Sequence, residues 1–177
     1  MKRRVLLKHM CEEISEKIKI PKDVCERVIK YYVNSGKEYL LQGETWGIPG
    51  VVRFVVNNLN KDDSVKYLYN ITEEIAEDIG YSNVIVERII MEYINLGIAY
   101  LNKGYRWVIP NFAILEVVKK DNSVKFLCRW SVNLKTEIYE HMLDLYKSGD
   151  LEWKYQRNCK TLWNNVFIKQ VKAKLSE

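Results

Sequence analysis

The chain has 177 residues, 47% hydrophobic and 29% charged, and its 28 basic and 23 acidic side chains leave a formal net charge of +5. That is enough apolar material for one or two small domains, and no stretch comes near the roughly 18 apolar residues of a membrane span. Met1-Lys2-Arg3-Arg4 is basic, but Lys8 and His9 break the short apolar run behind it, so a secretory signal is not expected; four cysteines without paired spacing point to reduced thiols and a cytoplasmic setting.

In chain order, a helix carrying Glu12-Glu13-Ile14 precedes a second helix that Pro21 starts and Gly43 stops. A strand with Trp46 and Ile48-Pro49 follows. Ser64-Val65-Lys66-Tyr67-Leu68 is expected to return beside it across an Asn58-Leu59-Asn60-Lys61-Asp62 turn. Asn70 and Glu73 have the spacing of a capping box, and Ile71, Ile75 and Ile79 share one helical face that ends at Gly80. Ser82 caps a longer helix with Ile85, Ile89, Tyr93 and Leu96 on one side, stopped by Gly104. The period then changes. Tyr105 to Val118 is a strand run with Pro110 at a bulge or bend, a Lys119-Lys120-Asp121-Asn122 turn follows, and Val124 to Cys128 closes a hairpin. Leu134, Ile138, Met142 and Leu145 predict an amphipathic helix up to Gly149. The tail from Leu151 to Leu175 sets Trp153, Tyr155, Leu162, Trp163, Val166, Phe167, Ile168 and Val171 among lysines, at helical spacing.

The strongest signal is internal. Glu12-Glu13-Ile14, Tyr32, Asn34, Gly36, Tyr39-Leu40, Gly43, Trp46 and Ile48-Pro49 recur 61 residues later as Glu73-Glu74-Ile75, Tyr93, Asn95, Gly97, Tyr100-Leu101, Gly104, Trp107 and Ile109-Pro110. Two copies are too few for a solenoid. A fused pseudo-dimer, in which two copies keep one self-complementary interface, is expected instead. The fold class is α+β, with helix-helix-hairpin repeats at 1–69 and 70–130 and a mainly helical extension at 131–177. Trp46 and Trp107, kept at the same position in both copies, are expected to be buried.

This order of elements resembles the HU and integration host factor family of bacterial histone-like proteins. The matching stretch in the second copy is Leu101-Asn102-Lys103-Gly104-Tyr105-Arg106-Trp107-Val108-Ile109-Pro110-Asn111-Phe112; Asn111-Phe112 falls where the family has its Gly-Phe, and the first copy has Gly50-Val51 there. The resemblance implies a two-helix unit followed by a sheet, and a DNA-binding ancestry. The departures are equally specific. The family grips DNA with long basic β-arms whose tip prolines wedge into the duplex, whereas both hairpins here close after a few residues without a proline at the tip. The first copy also runs from Tyr69 straight into the next helix, leaving no room for the family's C-terminal helix.

Charge differs between segments. Residues 1–68 carry 13 basic and 9 acidic side chains, residues 69–128 carry 6 and 8, and residues 129–177 carry 9 and 6. No metal site, cofactor or small-molecule substrate is expected: only two histidines are present, and no ligand pairs lie at zinc spacing. The acid pairs Glu12-Glu13 and Glu73-Glu74 suit the positive end of a helix dipole better than catalysis. No phosphate loop or nucleophile elbow occurs, so the chain is not expected to be an enzyme. Two functions follow. The first is a structural protein that binds other subunits through the aromatic tail at Trp153, Tyr155, Trp163 and Phe167. The Ile, Lys, Asn and Tyr bias suits an AT-rich genome such as many bacteriophages have, which makes a virion component of the head-to-tail or neck region the concrete form. The second is a histone-like protein holding duplex DNA by its backbone through Lys2, Arg3, Arg4, Lys8, Arg53, Lys119, Lys120, Lys169, Lys172 and Lys174.

Overall fold

The computed structural model describes residues 3–61, 65–66, 71–121, 123–152 and 158–176. Its first elements are β1 (Arg4–Val5), α1 (Leu7–Ile18), α2 (Lys22–Leu41), β2 (Thr45–Ile48), β3 (Val52–Val56) and β4 (Val65–Lys66). They are followed by α3 (Thr72–Ile79), α4 (Asn83–Asn102), β5 (Arg106–Ile109), β6 (Ala113–Lys120), β7 (Ser123–Trp130), α5 (Val132–Ser148), β8 (Cys159–Trp163) and α6 (Asn165–Ser176). The architecture is mixed α+β, with six helices among the described residues and two four-stranded sheets ordered β1-β5-β6-β7 and β4-β2-β3-β8.

Local chemistry sets the helix ends. Ser82 Oγ accepts from Ile85 N at the start of α4 (3.4 Å), and Gly80 ends α3 in the left-handed region at φ 76°. The cap expected at Asn70 lies outside the described residues. Apolar side chains recur at helical spacing on the two longest helices, burying Val28, Ile29 and Tyr32 on α2 and Ile89, Ile90 and Tyr93 on α4. These faces meet in one core.

The two hairpins correspond position by position. β2 pairs with β3 as Trp46↔Phe54 and Ile48↔Val52; β5 pairs with β6 as Trp107↔Leu115 and Ile109↔Ala113, every number 61 higher. Pro49-Gly50-Val51 turns with Val51 N donating to Ile48 O (3.0 Å), and Pro110-Asn111-Phe112 turns with Phe112 N donating to Ile109 O (3.1 Å). The middle residue has positive φ in both, 73° at Gly50 and 53° at Asn111, a region open to glycine and tolerated by asparagine. Each proline thus opens a turn, and the run from Tyr105 to Val118 is two strands.

The return strand expected at residues 64–68 is a correction. Val65–Lys66 runs parallel to β2, as Thr45↔Val65 and Trp46↔Lys66, on the edge away from β3. The cause is local: Lys61 N donates to Gly43 O (2.9 Å), which draws the chain back past β2. β1 does the same on the other sheet, pairing Arg4↔Arg106 and Val5↔Trp107. Arg4 and Val65 are 61 residues apart, as are their partners Thr45 and Arg106, so β4 corresponds to β1 as a strand leading into a helix pair, and each edges the sheet formed by the other pair's hairpin.

The open edge of β3 is filled from the far end of the chain. β8 pairs antiparallel with it from Val52↔Trp163 to Val56↔Cys159, so this part of the tail, expected to be helical, is a strand. β7 pairs with β6 as Ala113↔Trp130, Leu115↔Cys128 and Val117↔Phe126, the equivalent positions 61 residues on. Ser131 N donates to Phe112 O (2.7 Å) where α5 begins, and Asn164 N donates to Val51 O (2.8 Å) where α6 begins. β8 and α6 therefore take, on the sheet of β2 and β3, the place that β7 and α5 take on the other. The helix that follows the sheet of β2 and β3 is thus supplied by the C-terminal segment.

At the centre, Trp46 and Trp107 are fully buried at 0% exposure, as expected. Their indoles lie on Gly36 and Gly97, where an added Cβ would come within 2.4 Å. Tyr32 meets Trp46 at 5.2 Å between centroids, and Tyr93 meets Trp107 at 5.3 Å. Phe54 and Phe112, 4.9 Å apart, join the inner faces of the two sheets.

Candidate nucleic-acid interface

Strand alternation decides which side chains face outward. Along β7, Ser123, Lys125, Leu127 and Arg129 are exposed, while Val124, Phe126, Cys128 and Trp130 turn inward. Register carries that outward side across the sheet in rows Arg129-Ile114-Val108 and Leu127-Glu116-Arg106-Arg4, with Lys125 beside Val118 and Lys120 beside Ser123. On the second sheet, Arg53 pairs with Leu162 and Val55 with Lys160, opposite in facing to the buried Phe54. Arg53, Val55, Asn57 and Lys160 line a concavity of about 330 Å³ there.

Seven basic side chains stand on these outward faces: Arg4, Arg53, Arg106, Lys120, Lys125, Arg129 and Lys160. Among the described outward positions the one acid is Glu116, only 5% exposed. Arg106 Nε lies 3.0 Å and Arg129 Nη2 3.3 Å from its Oε2. A carboxylate held by two guanidiniums orients both and leaves a surplus of positive charge facing solvent. The sheets meet along their edge strands β7 and β8, where Trp130 Nε1 donates to Thr161 Oγ1 (2.8 Å) and Phe126 lies 5.4 Å from Trp163.

The basic residues singled out from sequence are divided by the fold. Arg53 and Lys120 join the outward faces, and Arg4, in register with Arg106, does so at the border of an acidic groove. Lys119 turns the other way and donates from Nζ to Leu175 O of α6 (2.5 Å). Lys8 lies on α1, and Lys169, Lys172 and Lys174 are exposed on α6. Arg3 lines a groove of about 570 Å³ with Arg4, Glu12, Glu13, Glu16 and Tyr100; three carboxylates make that groove a poor phosphate site. Lys2 lies outside the described residues. The sequence reading missed Arg106, Lys125, Arg129 and Lys160; the alternation Lys125-Leu127-Arg129 was the signal for two of them.

The aromatic docking residues fare differently. Phe167 is 3% exposed and stacks on half-buried Trp163 at 6.1 Å between centroids, with Phe126 5.9 Å away. Phe167 is therefore core, because α6 lies over the inner side of the sheets, and Trp163 is largely engaged within the chain. Trp153 and Tyr155 lie outside the described residues.

Among the described residues, no three His, Cys, Asp or Glu side chains gather as metal ligands. A hydrogen bond to Glu13, with burial, pushes the Tyr100 hydroxyl up to about 12, and burial pushes the Cys128 thiol up to about 11, both away from reactivity at neutral pH. No helix of the described residues is long and apolar enough to cross a membrane. Compared with protein-family models, curated proteins and solved structures, the chain matches none.

Proposed function

We propose that this chain is a non-enzymatic architectural protein, a duplicated HU/IHF-like pseudo-dimer that holds duplex DNA by its phosphate backbone without sequence specificity. The duplication is supported by the 61-residue offset shared by both hairpins and both leading strands. The observation that carries the DNA reading is the excess of basic side chains on the outward sheet faces: Arg53, Lys120, Lys125 and Lys160 stand there with Arg106 and Arg129, which share the buried acid Glu116, while Arg4 also borders the carboxylates of Glu12, Glu13 and Glu16. Phosphate contacts need such a surplus, and they release counterions, so affinity falls with salt by about 0.9 log units per contact per log unit of salt. Fluorescence anisotropy with random-sequence duplex, from about 50 to 200 mM salt, tests it. Micromolar or tighter binding that weakens steeply is expected; no binding at low salt rules it out.

A second reading is favoured by one specific feature. Val132, Tyr139 and Tyr146 recur every seven residues along α5 at 73%, 52% and 54% exposure, an apolar row of the kind that docks on protein. On this reading the chain is a subunit of an assembly, such as a phage neck or head-to-tail connector. Co-sedimentation with partner subunits, insensitive to salt, would favour it.

A further inference from the structure

The duplication gives each outward sheet face a counterpart in the other. On the sheet of β5, β6 and β7, Glu116 holds the centre of that face, in register with Arg106 on one side and Leu127 on the other; Ile114 lies two residues along its own strand, with Arg129 opposite Ile114. The hairpin offset of 61, and the matching places of Trp130 and Trp163, set Val55 where Glu116 stands. Its four neighbours are then Thr45 for Arg106, Lys160 for Leu127, Arg53 for Ile114 and Leu162 for Arg129. Each sheet thus sets two cations around its centre, at complementary corners. On one sheet the cations close on a carboxylate, Arg106 at 3.0 Å and Arg129 at 3.3 Å. On the other the centre is Val55, 8% exposed, and the space around it is the concavity of about 330 Å³, with no carboxylate among its described lining residues.

The geometry points to this concavity as a phosphate site, in which a phosphate ester takes the place that the Glu116 carboxylate takes on the other sheet. Arg53 and Lys160 are both exposed and stand diagonally across β3 and β8, a separation of about 7–8 Å across which long side chains reach one group. Their two positive charges match a phosphate, and the arginine fork suits its oxygens. Thr45 Oγ1 donates to Asn60 Oδ1 (3.4 Å), so the Asn60 amide offers its N–H donors. The volume, at the lower end of the about 300–1,000 Å³ of small-ligand sites, also holds the group attached to the phosphate. The ester comes from one of two sources, a free phosphomonoester or the backbone of a nucleic acid, and only the second rests on the proposed function.

Inorganic phosphate titrated into the full chain and followed by amide and side-chain ¹H–¹⁵N shifts tests the site, with chloride at equal ionic strength as the reference. Saturable shifts at Arg53 Nε, Asn60 and Lys160 are expected at about millimolar phosphate. Val55→Glu, which gives this sheet the acid of the other, should abolish them. Shifts no larger than with chloride, or spread evenly over the surface cations, overturn the proposal whether or not duplex binds. Should Val55→Glu fail to fold, Arg53→Gln with Lys160→Gln decides: loss of the Asn60 shift supports the site, and its persistence overturns it. Anisotropy with random-sequence duplex separates the sources. Duplex binding that the double variant weakens several-fold assigns the site to the backbone. Phosphate binding without duplex binding, or with duplex binding that the double variant leaves unchanged, assigns it to a free phosphomonoester, and in the first of these cases the DNA reading fails while the site stands.

Discussion

Gly36 and Gly97 show how one residue fixes a packing decision twice. Neither adopts a special backbone conformation; each is a glycine because an indole occupies the space of its side chain. Alanine would favour the helix by about 1 kcal/mol, but overpacking typically costs about 1–3 kcal/mol, and contact at 2.4 Å with a ring buried on all sides places these sites at the upper end. Gly36→Ala and Gly97→Ala should each lower the urea midpoint, while Gly50→Ala should fall through its positive φ alone. On the outer face, Glu116→Gln removes the acid while keeping its shape. If the proposed DNA reading holds, random-sequence duplex then binds more tightly and with a steeper salt dependence, whereas thermal stability should drop as two guanidiniums lose their shared carboxylate.

At the scale of elements, the sequence declared what local chemistry encodes. The glycine stops, the Ser82 cap and the Pro49 and Pro110 turns follow from backbone preferences that operate within a few residues. Strand partners do not. Val65–Lys66 is too short to carry a period, and Cys159-Lys160-Thr161-Leu162-Trp163 fits a helical face as well as a strand; both are defined by the edge they meet. The outward basic faces were only half legible for the same reason, since Arg53 and Lys160 become neighbours through pairing alone. Capping tests the correspondence of the two terminal units. Asn164→Ala and Ser131→Ala each remove a side-chain acceptor from a helix start, at a cost of about 1 kcal/mol. Hydrogen exchange should show Asn164→Ala loosening β8 and α6 ahead of the rest. Ser131→Ala, whose hydroxyl also donates to Asn111 O (2.8 Å), should lower protection across the sheet of β5–β7.

For the whole molecule, charge is unequal between the two sheets. One carries Arg4, Arg106, Lys120, Lys125 and Arg129 outward, the other Arg53 and Lys160. On the proposed function, Lys125→Gln with Arg129→Gln should weaken duplex binding more than Arg53→Gln with Lys160→Gln, and each lost contact should reduce the salt slope by about 0.9. Equal losses from both pairs would argue for a symmetric footprint. Stability should also depend on alkaline pH. Burial pushes the Cys11 thiol up to about 12 and that of Cys128 up to about 11. A raised folded value stabilises the fold below the unfolded value of 9.0, and that contribution is lost as pH climbs through the folded value. Urea midpoints should hold from neutral pH to about 9 and fall between about 9 and 12.

The filling of the β3 edge by β8 also imposes an order in time. Val56 leaves the ribosome 103 residues before Cys159, and at about 5–20 residues per second that edge waits several seconds for its strand. During that interval the nascent first copy exposes unpaired backbone of the kind that aggregates or recruits a chaperone. A chain cut short before Cys159 never closes it. Synthesis of β8 is thereby coupled to closure of this sheet, and a product cut short before it keeps the β3 edge open.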